Sequence, residues 1–215
     1  MQNNLMHLLL IRHGETDWNN EGRIQGHTDT PLNPRGIQQA GRLAARLASE
    51  EIDAVYTSPL ARARVTAELM AQKHCLTAIP DDRLKEKFLG DFEGMTGGDL
   101  EKQYPEIFHA WHASEVHFPL PGEETPTALQ ERVQAFLDRV RAEHPDGAQV
   151  AVISHGGTLS MFLATLIGLD IQRRFPFWFD NASVSHIDLS GTRSRLRLLN
   201  DTCHLCNGHN PSENP

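Results

Sequence analysis

Three short apolar runs, each ending in polar or charged residues and leading into a helix-forming stretch, constrain this chain most. "HLLLIR" (7–12) is almost continuously apolar, as in a strand buried on both faces. "DAVYTS" (53–58) and "AQVAVISHGG" (148–157) read as two more strands. Helical patterns follow each. "NPRGIQQAGRLAARLASEE" (33–51) opens with Asn33 as a cap and Pro34 at the first helical position, with Ile37, Ala40, Ala44 and Leu47 expected on its apolar face. "PLARARVTAELMAQKH" (59–74) is expected to begin its helix at proline, and "TLSMFLATLIGL" (158–169) is a very apolar helix. In "TALQERVQAFLDRVRAEH" Leu129, Val133, Phe136, Leu137 and Val140 share one helical face. "ASVSHIDLS" and "RLRLLND" look like closing strands. Alternation of this kind predicts an α/β fold of three layers, α/β/α, with a largely parallel central sheet.

A chain of 215 residues fits one domain with a sizeable core. We place it at 1–202, with a variable rim or lid at about 95–125 and a mobile tail over 203–215. The whole of 80–125 is rich in Pro, Gly, aromatics and charge and is expected to be loop-rich, as active-site rims often are.

Lys and Arg number 20 against 28 Asp and Glu, a net charge of −8. No basic excess exists to neutralise a phosphate backbone, so nucleic acid is not an expected partner. No apolar run approaches the ~20 residues of a membrane helix, and the opening "MQNNLMHLLLIRHG" does not read as a signal peptide. Three cysteines are too few for a disulfide scaffold, which makes a cytoplasmic protein the expectation. A homodimer is the prior for its assembly.

Ligands of parallel sheets bind beyond the carboxyl ends of the strands. Here two strands end in "RHG" and "SHGG" and a third in "TSPLAR". With "RHGETDWN", "SPLARARVTA", "GDFEG" and "SHGG" in this order and spacing, the chain resembles the histidine phosphatase superfamily from about Leu8 to about Leu199. That superfamily includes cofactor-dependent phosphoglycerate mutases and many small-molecule phosphatases, and the resemblance implies a phosphoglycerate mutase-like fold.

Phosphoryl transfer is mostly positioning plus electrostatics, and Arg binds phosphate in planar, bidentate fashion. By resemblance Arg12 and Arg62 clamp the phosphoryl group and His155 donates to its oxygens. Asn19, Gln25, Gly26 and Gly156 complete the substrate cradle. His13 is the implied nucleophile, kept neutral by nearby positive charge and oriented by the Gly14 carbonyl. Glu86 is the implied acid for the leaving alkoxide, holding its proton mainly in the substrate complex, and afterwards the base that activates water. The scheme requires no metal and no cofactor. Glu93 and Glu15 compete as carboxylates, whereas Asp17, Asp29 and Asp91 suit turns or caps. Arg64 reads as a solvated helix charge, and Trp111 and Phe118 as rim packing or substrate contacts. The "CHLC" at 203–206 lacks a second ligand pair for zinc, and the family likeness of "LNDTCHL" makes His204 a candidate substrate contact.

In mutases of this family the segment after the catalytic Glu commonly reads Glu-Arg-His-Tyr-Gly. Here it reads Glu86-Lys87-Phe88-Leu89-Gly90, the mutase insertion is lacking, and "LPGEETP" resembles an element of the phosphatase branch. The expected activity is hydrolysis of small phosphomonoesters, with a phosphoglycerate mutase as the alternative and a silent phospho-ligand binder less favoured.

Overall fold

Strand and helix alternate through most of the computed structural model, which describes residues 5–114, 119–173, 177–190 and 193–206. In chain order the elements are β1 (Met6–Arg12), α1 (Asp17–Asn20), α2 (Pro34–Leu47), β2 (Ala54–Thr57), α3 (Ala61–Ala71) and β3 (Ala78–Pro80). Then come α4 (Gly97–Gln103), α5 (Pro105–Ala113), α6 (Pro126–Glu143), β4 (Gln149–Ser154), α7 (Gly156–Ile167), β5 (Val184–Ser190) and β6 (Arg193–Asp201). The sheet order is β3-β2-β4-β1-β5-β6. The first four of these run parallel, and β5 and β6 close the sheet antiparallel.

Alternation along β1 builds both cores, because successive side chains leave a strand on opposite faces. Leu8 and Leu10 join Val150 and Val152 against Val133, Phe136 and Phe162 from α6 and α7. Leu9 and Ile11 join Val55, Ala151 and Ile153 against Leu43, Leu47, Ala67 and Met70 from α2 and α3. The three-layer α/β/α arrangement follows directly.

Local signals act as expected at the start of α2, where the Asn33 side chain accepts from the Gly36 N–H and Pro34 occupies the first turn. The buried stripe of that helix differs from the expected one. Ile37 is 52% exposed and Leu43 is fully buried. At 100° per residue the stripe centres on Ala40, Leu43 and Leu47, which leaves Ile37 at its edge. Helix α3 starts at Ala61 rather than at Pro59, because Ser58–Leu60 form the turn out of β2; the Asp29 carboxylate caps it by accepting from Ala61 N–H at 2.7 Å.

The segment 80–125 is more ordered than its composition suggests. It carries α4, opened by a Thr96–Asp99 capping box, and α5, opened by Pro105. Phe92, Leu100 and Leu120 form a small third core there, with Leu89, Phe108 and Trp111 packed on it. Trp111 is thus a packing residue, while Phe118 lies outside the described residues. The expected tail begins with a docked turn: the Leu205 carbonyl accepts from Arg42 and His204 Nδ1 lies 3.1 Å from Arg46. Residues 207–215 lie outside the described residues. No helix among the described residues is long and apolar enough to cross a membrane.

Candidate active site

The carboxyl ends of β1, β2 and β4 bring His13, Ser58 and His155 together. His13 N–H donates to the Ser154 carbonyl at 3.1 Å, which extends the β1–β4 pairing one residue past the strand. From the other side Asn181 Nδ2 donates to the His13 carbonyl at 3.1 Å. The backbone of the candidate nucleophile is therefore fixed by two neighbours distant in sequence.

His13 Nδ1 lies 2.7 Å from the Gly14 carbonyl, so this nitrogen carries the proton and Nε2 keeps its lone pair. Burial first, then the Arg12 and Arg62 guanidiniums, holds the imidazole pKa well below the ordinary histidine value. His155 stands beside it, ring centroids 5.0 Å apart. Burial and Arg62 likewise lower the His155 pKa strongly. Arg62 Nε donates to His155 Nδ1 at 3.2 Å, which leaves the His155 proton on Nε2, 2.8 Å from Ser58 Oγ. Both nitrogens thus have protein partners; donation to a phosphoryl oxygen requires His155 to exchange Ser58 for it.

The two arginines differ. Arg62 is 1% exposed and also donates to the Thr28 and Gly26 carbonyls, each at 2.8 Å, so it braces the 26–28 loop. Burial lowers its pKa to about 10, which leaves it charged at neutral pH. Arg12 donates from one amino group to the Phe179 carbonyl at 2.5 Å, and its buried Nε has no hydrogen-bond partner among the described residues. A buried charged donor without an acceptor is costly and is the clearest anion-seeking group in the site. Gly156, at the start of α7, lies against it, a Cβ there falling 3.8 Å from Arg12 Nε.

Asn19 and Gln25 are held by their carboxamide oxygens. Asn19 Oδ1 accepts from the Thr16 N–H and from Asn181, and Gln25 Oε1 accepts from Thr30 Oγ1 at 2.5 Å. Their NH2 ends are then the donors for an anion. Gly26 sits at φ +51°, and a Cβ there would fall 1.9 Å from Glu93 Oε1, so a side chain would strain the backbone and displace the Glu93 carboxylate.

Glu86 takes the place of a capping side chain at α7. Its carboxylate accepts from the Thr158 N–H at 3.0 Å, the Gly157 N–H at 3.2 Å and the Lys87 N–H at 2.8 Å, and it acts electrostatically on both Arg12 and Arg62. Glu93, by contrast, accepts from the backbone of His27, Thr28 and Leu89 and organises the loop. Glu15 pairs with Arg35 and Asn33, and Arg64 forms an exposed pair with Glu68.

Four participants were given no role by the motifs. Arg132 of α6 donates to the Arg83, Lys85 and Glu86 carbonyls and holds the Glu124 carboxylate in a fork, which joins the rim to the Glu86 turn. His27 Nε2 lies 2.7 Å from the Glu86 carbonyl. Ser58 and Asn181 complete the set. Composition marks none of them; "TSPLAR" placed Ser58 at a strand end and was the only signal available.

Two expected outcomes arise from this geometry. A Cβ on Gly157 would fall 2.7 Å from Glu86 Oε1, the far end of a flexible side chain. Gly157→Ala should therefore move the carboxylate rather than unfold the protein, lowering kcat by ~10–100-fold with the melting temperature nearly unchanged; steady-state kinetics beside a melting curve checks this. The depressed His13 pKa places the acid limb of kcat/KM below the ordinary histidine value of ~6.5. Stability behaves differently. With the folded His13 and His155 pKa values below the unfolded ones, the unfolded chain binds more protons between the two, so stability falls as pH drops through ~6.5. Activity profiles and urea melts across pH 5–8 separate the two effects.

A neutral imidazole flanked by buried guanidiniums at the strand ends of an α/β sheet is suited to holding a phosphoryl group. Residues 8–202 match the histidine phosphatase superfamily (branch 1), and the protein belongs to that family. It is 36% identical to phosphoserine phosphatase 1 of Hydrogenobacter thermophilus, covering 94% of this chain and 95% of that one. It is also 36% identical to the adenosylcobalamin/alpha-ribazole phosphatase of Escherichia coli K12, covering 91% and 96%. Among solved structures, a mycobacterial glucosyl-3-phosphoglycerate phosphatase complexed with VO3 superposes with a TM-score of 0.82 at 29% identity, covering 90% and 98%.

Proposed function

We propose that this protein hydrolyses small-molecule phosphomonoesters through a phosphohistidine at His13. The observation that carries the reading is the neutral, Nδ1-anchored His13 between two buried guanidiniums, one with an unpartnered Nε. Arg12 and Arg62 bind the phosphoryl oxygens and disperse the charge that develops on them. Nε2 forms a P–N bond as the ester P–O bond breaks, and Glu86 passes its proton to the departing alkoxide. Water then attacks phosphorus, Glu86 accepts its proton, and the P–N bond breaks to release inorganic phosphate.

Hydrolysis is favoured over return of the phosphoryl group to a phosphoglycerate. Leu89 packs on the Phe92 cluster and offers no hydroxyl to a substrate, at the position where mutases commonly carry tyrosine. The relatives named as phosphatases, each covered over more than nine-tenths of its length, support the same choice. Three exposed thiols, Cys75, Cys203 and Cys206, fit a reducing cytoplasmic setting.

A panel of phosphorylated metabolites, scored by phosphate release in excess chelator, tests the reading. Release from at least one monoester, undiminished by chelator, is expected. Loss of activity on chelation with recovery on adding metal overturns the metal-free scheme. Interconversion of 2- and 3-phosphoglycerate without phosphate release overturns the hydrolytic one.

A further inference from the structure

At the opposite end of β1 from the catalytic residues the strand register gathers a second set of ligating side chains. His186 and Asp188 are two apart on β5 and so share a face, and His7 pairs with Asp188 across the antiparallel β1–β5 ladder. His7 Nδ1 lies 2.9 Å from Asp188 Oδ1 and 3.4 Å from His186 Nε2, and His186 Nε2 lies 3.5 Å from Asp188 Oδ1. Three ligand atoms therefore form a nearly equilateral triangle. Tetrahedral coordination at about 2.05 Å spaces ligand atoms by about 3.3 Å. The geometry points to a binding site for a divalent transition-metal cation of the zinc type on His7, His186 and Asp188, remote from the active site.

Three further observations favour this site. Arg197 Nε donates to Asp188 Oδ2 at 2.5 Å, which leaves Oδ1 turned toward the two imidazoles, as an outer-shell donor fixes a ligating carboxylate. The two histidines are part-exposed while Asp188 is buried, so the carboxylate is held by the fold and an open position faces solvent. His7 also lines a cleft with Glu50, Glu51 and Asp53, whose carboxylates attract a dication, and the Glu50 charge reaches His186. Without metal, His7 Nδ1 donates to Asp188 Oδ1; ligation through Nδ1 moves that proton to Nε2, a change of tautomer.

His7 and His13 are six residues apart along an extended strand, roughly 20 Å. A cation at the first cannot touch a substrate at the second. It instead crosslinks β1 to β5, so its effect is on stability. Two N and one O ligands suit zinc better than magnesium or calcium.

Thermal unfolding of the metal-stripped full chain with added zinc tests this. At about 100 times Kd, zinc should raise Tm by about 5–10 °C. Stoichiometric cobalt should give the visible bands of a tetrahedral centre. His186→Gln should weaken zinc affinity by about 100-fold, which cuts the Tm rise at the same zinc concentration to about 1–2 °C and abolishes the stoichiometric cobalt bands, and leave turnover unchanged, with His7→Gln as the second variant should the first fold poorly. A Cys203→Ser, Cys206→Ser chain should respond like the parent. The proposal is overturned by a parent chain without a zinc response, by a response that survives His186→Gln and His7→Gln, or by one that disappears with the cysteines. None of these outcomes depends on the phosphatase reading, which chelator-treated activity assays address separately.

Discussion

His13→Ala should lower turnover of every phosphomonoester the enzyme accepts by about 10⁴-fold or more, with Tm changed by only a few degrees. On the proposed mechanism the size of the effect comes from the loss of the covalent route itself. The remaining arginines can still bind and polarise the phosphoryl group, so affinity for inorganic phosphate should partly survive. The ring sits at a strand end held by Ser154 and Asn181 through its backbone, not its side chain, so the scaffold does not depend on it. Rapid mixing with labelled substrate and quenching in alkali should trap label on the parent chain and none on the variant. Near-normal turnover in His13→Ala would place the nucleophile elsewhere.

The second large effect depends on the leaving group. Glu86→Gln keeps the shape and most acceptor contacts at the start of α7 but removes the proton that, in the proposed mechanism, goes to the alkoxide. For alkyl monoesters such as phosphoserine the loss should be ~10²–10⁴-fold in kcat. For p-nitrophenyl phosphate, whose phenolate leaves without help, formation of the phosphohistidine should be far less affected. Dephosphorylation then limits turnover, because the same group must activate water, and labelled enzyme should accumulate. Equal losses on both substrates without accumulation would show that Glu86 positions groups rather than moving a proton. Gly157→Ala provides a comparison in which the carboxylate is displaced but retained.

The Gly157 and Glu86 predictions draw on contacts that a linear reading does not contain. The strand ends carrying Arg12, His13 and His155 were legible because a continuous apolar run stops abruptly at them, and periodicity is a local property. The cap at Asn33 and the apolar face of α6 were legible for the same reason. Helices α4 and α5 were not, since Gly97 and Gly98 weaken one and the other has only nine residues, although Thr96–Asp99 and Pro105 were start signals in plain view. Ile37 misled because an apolar residue at the margin of a stripe satisfies the spacing without being buried.

What the sequence determined by itself is the order of the long strands and helices around the site and the chemical types delivered to the carboxyl end of the sheet, since both follow from local pattern and motif. What only the tertiary structure decided is which partners restrain those groups. Arg62 meets His155 across 93 residues of chain, Arg132 holds the Glu86 turn across 46, and His7 meets Asp188 across 181. Pairings at such separations are set by strand order and register, which emerge only when the whole sheet buries both faces at once.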